Sequence, residues 1–554
     1  MKLKRLLIIY LITLTYAVSV YGQPILNWSK VFDYNGHQDQ PYQIISSDSG
    51  DIYIIGQTEI TNNPQTNFDA LIIKYNRTGN LQWYRKHSLA TTGDDVFIKA
   101  LVTEEGNILV TGNMQVGNTT KILNMLYSAS GDTIWQDVQN YSGFWPYNVR
   151  NIFKDDSRYY IVDAHYTVSD SVNIVVFSYK KSGEFLGVGF THNFYGAAVD
   201  LQFIEADTTL LLTYNEVTSL SLRRPIVTKI KINGEKVWEK LLIDTTTSIE
   251  AIKTIFDEEG NIYTISNQRD FGNSVCYLTK LDKYGNMIWN RIFSFSIDHF
   301  ASAVNIFINS ADIVRIAGTY QYWDGITTEY GTFTTSFDSS GNQIQYDQQQ
   351  ISMPIQFWAT QKLDEADNLY FPLTVTAPST YTDILIAKIN NQNILEYENI
   401  YSHNNNPNIT DDLTEILLFG EDNYAIVGRE GGPVSPLNIL VLRYGDIVNS
   451  IAEDGNVLPN EFALEQNYPN PFNPSTVISY QLPVSGWQTI KVYDVLGNEV
   501  ATLVNEYHNA GSYEINFDGT RLSSGVYYYQ LRTGDPSTSL GQSFLQTKKM
   551  ILLK

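Results

Sequence analysis

"DVFIKALVTEEGNILVTGN" (95–113), continued by "KILNMLYSASGDTIWQDV" (121–138), decides the fold. It holds four short apolar runs, punctuated by the glycine-bearing turns "TEEGN" and "SGD" and by one longer polar loop. Glycine reaches positive φ without steric cost, so such turns between apolar runs predict hairpins. The same order returns in "IEAIKTIFDEEGNIYTISN" (249–267) and "VCYLTKLDKYGNMIWNRIF" (275–293). Each unit therefore reads as four antiparallel strands.

The units keep a fixed period. Trp28, Trp83 and Trp135 recur about every fifty residues, as do Trp238 and Trp289, and units without a tryptophan keep the spacing near Leu186, Gln345 and Glu396. That makes eight unit starts. Four-stranded sheets repeated at this period predict a β-propeller. "ILNWSKVF" (25–32) matches the fourth strand of a unit, whereas the last unit supplies only "LTEILLF", "NYAIVGR" and "NILVLRY". An N-terminal strand completing the last sheet closes the ring and hides two sheet edges. We therefore expect an all-β chain with an eight-bladed propeller over residues 23–445. A seven-bladed ring is the alternative and an open solenoid the third choice. Turns such as "SDSGDIYIIGQT" (47–58) resemble bacterial secreted propeller repeats of the D-x-x-G-N-x-Y-x-x-G kind, a resemblance that implies a fold and no activity.

Composition agrees. Aromatic residues make up 13% of the chain, 38 of them tyrosines, against 17% charged residues, which suits half-buried pleated surfaces. A net charge of −22 excludes a nucleic-acid partner, whose phosphates need a basic surface. "MKLKRLLIIYLITLTYAVSVYGQ" places Lys2, Lys4 and Arg5 before an apolar run from Leu6 to Val18. It reads as a signal peptide over residues 1–22, with cleavage between Gly22 and Gln23. No transmembrane helix is expected in the mature chain. Cys276 is the single cysteine and reads as a buried small hydrophobe.

Topology sorts the loops. Turns between the first and second strands, and between the third and fourth, share one face and are short. The other face collects the variable loops, such as "NYSGFWPYN", "THNFYGAA" and "YQYWDGITTEY". Tyr141, Trp145, Tyr195, Tyr320, Tyr322, Trp323 and Trp358 are expected there, as a surface for stacking on sugar rings or contacting a protein. Asp95, Asp298 and Asp411, with Asp39, Asp94 and Asp412, fall near the starts of inner strands. A shared channel mouth would let their carboxylates meet for glycoside chemistry or hold a cation; the structural alternative is that each closes a turn on backbone amides. No catalytic triad, zinc motif or phosphate loop is present in the sequence. No catalytic residue, metal site or cofactor is assigned.

After Tyr444 the periodicity stops, and residues 446–463 read as a linker. "NYPNPFNPST" (467–476) follows, its prolines lacking the N–H a central strand requires. It is expected to lie extended along a sheet edge and deliver the chain into "TVISYQL". Six or seven short alternating strands then suggest an immunoglobulin-like sandwich over 464–554. "YPNPFNP", "IKVYDVLGNEVATLV", "AGSYEINFDGTRLSSGVYYYQL" and "KKMILLK" resemble, in order, the type A C-terminal sorting domain of the type IX secretion system of Bacteroidetes and their relatives. The resemblance implies a passenger that crosses the outer membrane through that translocon and is released or attached to the cell surface. The residues carrying it are Tyr468, Pro469, Asn470, Pro471, Phe472, Asn473, Pro474, Gly497 and Gly525. Lys548, Lys549 and Lys554 are candidates for translocon recognition. The passenger is expected to be a non-catalytic binder of glycan or protein; the alternative is a secreted polysaccharide hydrolase or lyase.

Overall fold

The computed structural model describes residues 23–445 and 463–554, except for 61–66, 89–92, 117–118, 144–148, 167–170, 269–274, 295–298, 324–326, 377–381, 403–409, 433–435, 483–485, 509–510 and 534–544, and single positions 245, 310 and 468. The chain separates into two compact units, 1–447 and 448–554. Among the described residues there is no α-helix.

The first unit is a succession of antiparallel four-stranded sheets. Asp39–Ser46, Ile52–Glu59, Phe68–Tyr75 and Leu81–His87 form the first, in chain order, and the next begins at Asp95–Val102. Eight such sets occur among the described residues. The third and fourth share one continuous strand, Phe185–Ile204, so the loop predicted at 191–198 is strand backbone. Leu26–Phe32 pairs antiparallel with Asn438–Tyr444 and supplies the outermost strand of the last set.

Packing between sheets closes the series. Ile55 and Ile72 meet Phe97 and Val110 of the second sheet, and equivalent clusters join each later sheet to its successor. The last sheet returns to the first through Val427 and Val441 against Ile54 and Ile73. The second and third strands do not alternate between core and solvent: Ile52–Glu59 is buried at every position. Each sheet is covered on both faces by its neighbours, as in a parallel sheet sandwiched by helices. Alternation survives on outer strands such as Leu81–His87.

One inner strand is broken. Pro372 lies in Leu369–Thr376 and accepts the Ala359 N–H at 3.1 Å. On an antiparallel strand a residue's N–H and C=O point to the same side. The missing proline N–H therefore faces the innermost strand, which splits into Ile355–Trp358 and Lys362–Leu363.

The second unit has two antiparallel sheets. One orders Ala463–Leu464, Ser475–Leu482 and Gly511–Asp518; the other orders Glu499–His508, Gly486–Tyr493, Gly525–Thr533 and Leu545–Leu552. Leu464, Ile478 and Phe517 of the first share a core with Ile490, Tyr529 and Met550 of the second. Two sheets over one core form a sandwich.

Candidate functional site

The short-turn face of the first unit is fastened by a recurring clamp. In the turn Asp282–Asn286, Asp282 Oδ1 accepts the amides of Tyr284 and Asn286 at 2.9 and 2.8 Å, and Asn286 Nδ2 donates to Oδ2 at 2.8 Å. Asp338–Asn342 and Asp364–Asn368 repeat it. The tryptophan of the preceding sheet lies on the glycine of such turns: Trp28 on Gly79, Trp83 on Gly131, Trp135 on Gly183, Trp238 on Gly285 and Trp289 on Gly341. These glycines carry positive φ, and a Cβ there would press into the indole. The Trp289 indole N–H donates to the Ser339 carbonyl at 3.2 Å, while Arg291 lies over its ring and donates to the Gly341 carbonyl at 2.7 Å. Where tryptophan is absent, Gln345 donates to the Gln392 carbonyl of the next turn at 3.2 Å. The periodic tryptophan is thus a sheet-to-sheet fastener.

Of the residues expected on the opposite face, two have described side chains at a strand end. Tyr322 and Trp323 end the strand Val314–Trp323, with Trp323 60% exposed and Tyr322 half-buried. Tyr320, expected beside them, is buried in the core between two sheets. Tyr141, Tyr195 and Trp358 lie on strands, but their side chains, like Trp145 and Asp298 entirely, are outside the described residues.

Asp39, Asp95 and Asp411 occupy one register, four residues before the position that follows a β-bulge, on the innermost strands of three successive sheets. All are 1% exposed. Asp39 Oδ2 accepts the Tyr34 N–H at 2.9 Å. Burial pushes its carboxyl up to about 6, against the hydrogen bonds of Thr58 and Tyr34. Asp94 accepts the Phe68 N–H at 3.1 Å, and Asp412 pairs with Arg429 at 3.2 Å. The described partners of Asp39, Asp94 and Asp412 are backbone amides and neighbouring side chains that tie strands together. Cys276 is buried, and burial raises its thiol to about 12. Among the described residues no group of three or more His, Cys, Asp or Glu side chains is arranged to hold a metal ion.

Sequence reading missed a second feature, on the innermost strands. The residue just after the bulge is Gln43, Lys99, Asp200, Lys253, Asn305 and Glu415 in turn. Three of them take an amide of the following sheet, Glu415 from Ile44 at 3.1 Å, Gln43 from Ala100 at 2.7 Å and Asp200 from Thr254 at 3.1 Å, while Asn305 donates to the Gln361 carbonyl at 3.0 Å. Lysine cannot accept. After Lys253 the next sheet satisfies its own Ile306 N–H with Asn305 Oδ1 at 2.9 Å, and after Lys99 Asn151 does so for Ile152 at 3.0 Å. A bulge register leaves no mark in the local apolar pattern, so this ring was invisible in the sequence.

In the second unit the proline-rich segment covers the outer edge of the terminal strand. Phe472 is buried, its N–H donating to the Ile551 carbonyl and its carbonyl accepting from Leu553, both at 2.9 Å. Asn470 Oδ1 accepts the Ile551 N–H at 2.9 Å, and Gln466 donates to the Lys549 carbonyl at 2.8 Å. Asn467 and Thr476 bind the Pro469 carbonyl at 3.1 and 2.9 Å, and Gly519 donates to Pro474 at 2.8 Å. Pro471 and Asn473 are exposed, and Tyr468 lies outside the described residues. Gly497, at positive φ, closes the turn after Asp494. Gly525 opens the strand that pairs with the last one. Lys549 is exposed and Lys548 half-buried, whereas Lys554 Nζ donates to the Thr520 carbonyl at 2.6 Å.

This edge-capping segment and the strands after it coincide with a known family. The model of the secretion system C-terminal sorting domain matches residues 466–542. These residues are a type IX sorting domain. A sorting domain of this system marks its chain for export to the cell surface or the extracellular space. Among the described residues no helix is long and apolar enough to cross a membrane. A search of curated proteins finds no match. Solved structures similar to the chain include Sqt1 from Chaetomium thermophilum, 10% identical, covering 74% of this chain and 97% of that one at a TM-score of 0.42. The WD40 domain of SCAP from fission yeast is 9% identical, covering 77% and 100% at 0.40. A PL25 ulvan lyase is 11% identical, covering 75% and 96% at 0.36. At these identities none carries an activity over to the chain ahead of its sorting domain.

Proposed function

We propose that the mature chain, freed of residues 1–22, is an eight-bladed propeller over 23–445, joined by the linker 446–463 to an immunoglobulin-like sorting domain over 464–554. The propeller binds a glycan or a protein without catalysis, through its long-loop face. One observation carries this reading: the two faces differ in kind. Turns on one face are short and held by Asp–Asn hydrogen bonds and indole clamps, while the loops that differ in length and composition collect on the other. Rigid frames bearing variable loops are how binding surfaces are built. Trp323 and Tyr322 offer aromatic surface there, suited to the apolar face of a sugar ring. The type IX translocon is the partner of the sorting domain, with Lys548, Lys549 and Lys554 as its contacts.

A glycan array probed with the secreted chain tests the reading. Selective binding that disappears in Trp323→Ala supports it, and silence across the array removes the sugar from it. The hydrolase or lyase alternative draws on the shared register of Asp39, Asp95 and Asp411. Their burial favours a structural task, and release of reducing or unsaturated ends from any arrayed polysaccharide would reverse that preference. Deleting 464–554 strands the propeller in the periplasm; its continued appearance outside the cell would refute the export route.

A further inference from the structure

Five charged side chains of the innermost strands, Lys99, Lys253, Lys362, Asp200 and Glu415, act on one another, and among these five the ammonium groups outnumber the carboxylates by one. Lys253 pairs with Asp200 at 2.8 Å, and Lys362 lies 3.6 Å from Glu415. Both carboxylates also accept backbone amides of the following sheet. Lys99 is half-buried and has no ion-pair partner among the described residues. Its ammonium is disfavoured by burial and by Lys362 and Lys253, with Glu415 alone opposing them. Lys99, Lys253, Asp200 and Glu415 hold the same post-bulge register on innermost strands of the second, fifth, fourth and eighth sheets, and Lys362 of the seventh reaches Glu415, so these side chains share the inner lining of the closed series of sheets. With Asp200 and Glu415 each paired to a lysine, Lys99 is the one ammonium of the five without its own carboxylate.

We propose that this lining is a binding site for a single oxyanion, held by Lys99 with Lys253 and Lys362 beside it. An ammonium withdrawn from water without a counter-charge is costly, and an anion entering between three lysines removes that cost. Phosphate, sulfate or the carboxylate of an acidic sugar each offers the required chemistry: compact negative charge and several acceptor oxygens. The site is independent of the loop face, and a failed glycan array leaves it standing.

The test is calorimetric titration of the full mature chain with sulfate, phosphate and glucuronate, each at constant ionic strength against chloride. We expect one saturable equivalent for at least one of them. Lys99→Met weakens it by about tenfold or more, whereas Lys236→Met, on an exposed outer strand, leaves it unchanged. Glu415→Gln, which keeps an acceptor for Ile44 as Gln43 does for Ala100, tightens it about threefold by removing the competing charge. Preference for glucuronate identifies a sugar as the source of the anion, and preference for sulfate or phosphate a free ion. No saturable binding of any probe, or affinity unaffected by both Lys99→Met and Glu415→Gln, overturns the proposal. Should Lys99→Met fail to fold, the Glu415→Gln arm decides alone.

Discussion

The indole clamp predicts a thermodynamic coupling between a tryptophan on one sheet and a glycine on the next. Trp289 is 9% exposed, so its truncation to alanine costs about 3 kcal/mol in lost burial and cavity. The hydrogen bond to Ser339 adds about 1 kcal/mol. Gly341 has φ +81, and a Cβ there would stand 2.9 Å from Cδ2 and Cε2 of the indole and from Arg291 Nε. Alanine in that conformation costs about 1–2 kcal/mol by itself, and displacing a packed ring adds about 1–3 kcal/mol. Gly106 supplies the reference: its φ is +73, and a Cβ would meet nothing within 4 Å. Gly106→Ala should therefore cost only the backbone part, about 1–2 kcal/mol, and Gly341→Ala about 2 kcal/mol more. Once the indole is gone, only the Arg291 side chain stands in the way, and without the ring beneath it that flexible chain can move aside, so the excess largely disappears. In a Trp289→Ala background Gly341→Ala should fall back to the Gly106→Ala value, a coupling of about 2 kcal/mol. Urea unfolding followed by far-ultraviolet circular dichroism reads all four corners of the cycle. Additivity within about 0.5 kcal/mol would mean that ring and turn touch without holding each other.

Two further outcomes follow from the structure. Asp39 is raised by burial from 3.8 to about 6, so the folded state holds its proton more tightly than the unfolded chain. Its contribution to stability is complete below about pH 4 and is lost as pH rises through about 6, up to about 3 kcal/mol. Asp39→Asn should flatten that part of the melting-temperature profile between pH 4 and 8, and an unchanged profile would show that Asp39 does not cause it. In the sorting domain, Phe472→Ala removes a buried ring that packs 5.9 Å from Phe517. It should destabilise that domain by about 3–5 kcal/mol. Amide exchange in Leu545–Leu552 should accelerate by orders of magnitude, and protection retained there would deny Phe472 its role in holding the edge.

Much of this architecture is legible because its cues are local. A glycine after an Asp and before an Asn marks a turn wherever it stands, and the tryptophan period marks the unit. What those tryptophans do is not legible, because their partner lies about 50 residues away on the next sheet. Tyr320 was expected on the loop face because "YQYWDG" reads as a loop; the strand instead continues to Trp323 and keeps Tyr320 inside. The lysine ring escaped for a related reason. Lys99 and Lys253 each follow a bulge, and a bulge shifts which side a residue faces without altering the apolar pattern around it. Proline is normally confined to edge strands, yet Leu369–Thr376 holds Pro372 in a central position, and it is the neighbouring strand that breaks.

Both units face the same hazard, and they meet it with the same device. A sheet edge with free amides and carbonyls recruits other chains, and an exported chain with one cysteine has no disulfide with which to lock such an edge away. In the first unit, Leu26–Phe32 crosses the whole sequence to cover the outer edge of Asn438–Tyr444, and the Gly445 N–H still donates to the Ile25 carbonyl at 3.0 Å. In the second, Phe472 exchanges hydrogen bonds with Ile551 and Leu553 along the edge of the last strand, while the prolines around it offer no N–H of their own to a further strand. The two caps differ in length because the two edges differ. A regular strand pairs along the whole edge of a propeller sheet. The edge of Leu545–Leu552 is met mainly at Lys549, Ile551 and Leu553, where the side chains of Gln466 and Asn470 complete what the backbone of Phe472 begins. A cap made of one backbone residue and two amide side chains makes fewer hydrogen bonds along its edge than a seven-residue strand, so less holds the edge of the sorting domain than holds that of the propeller.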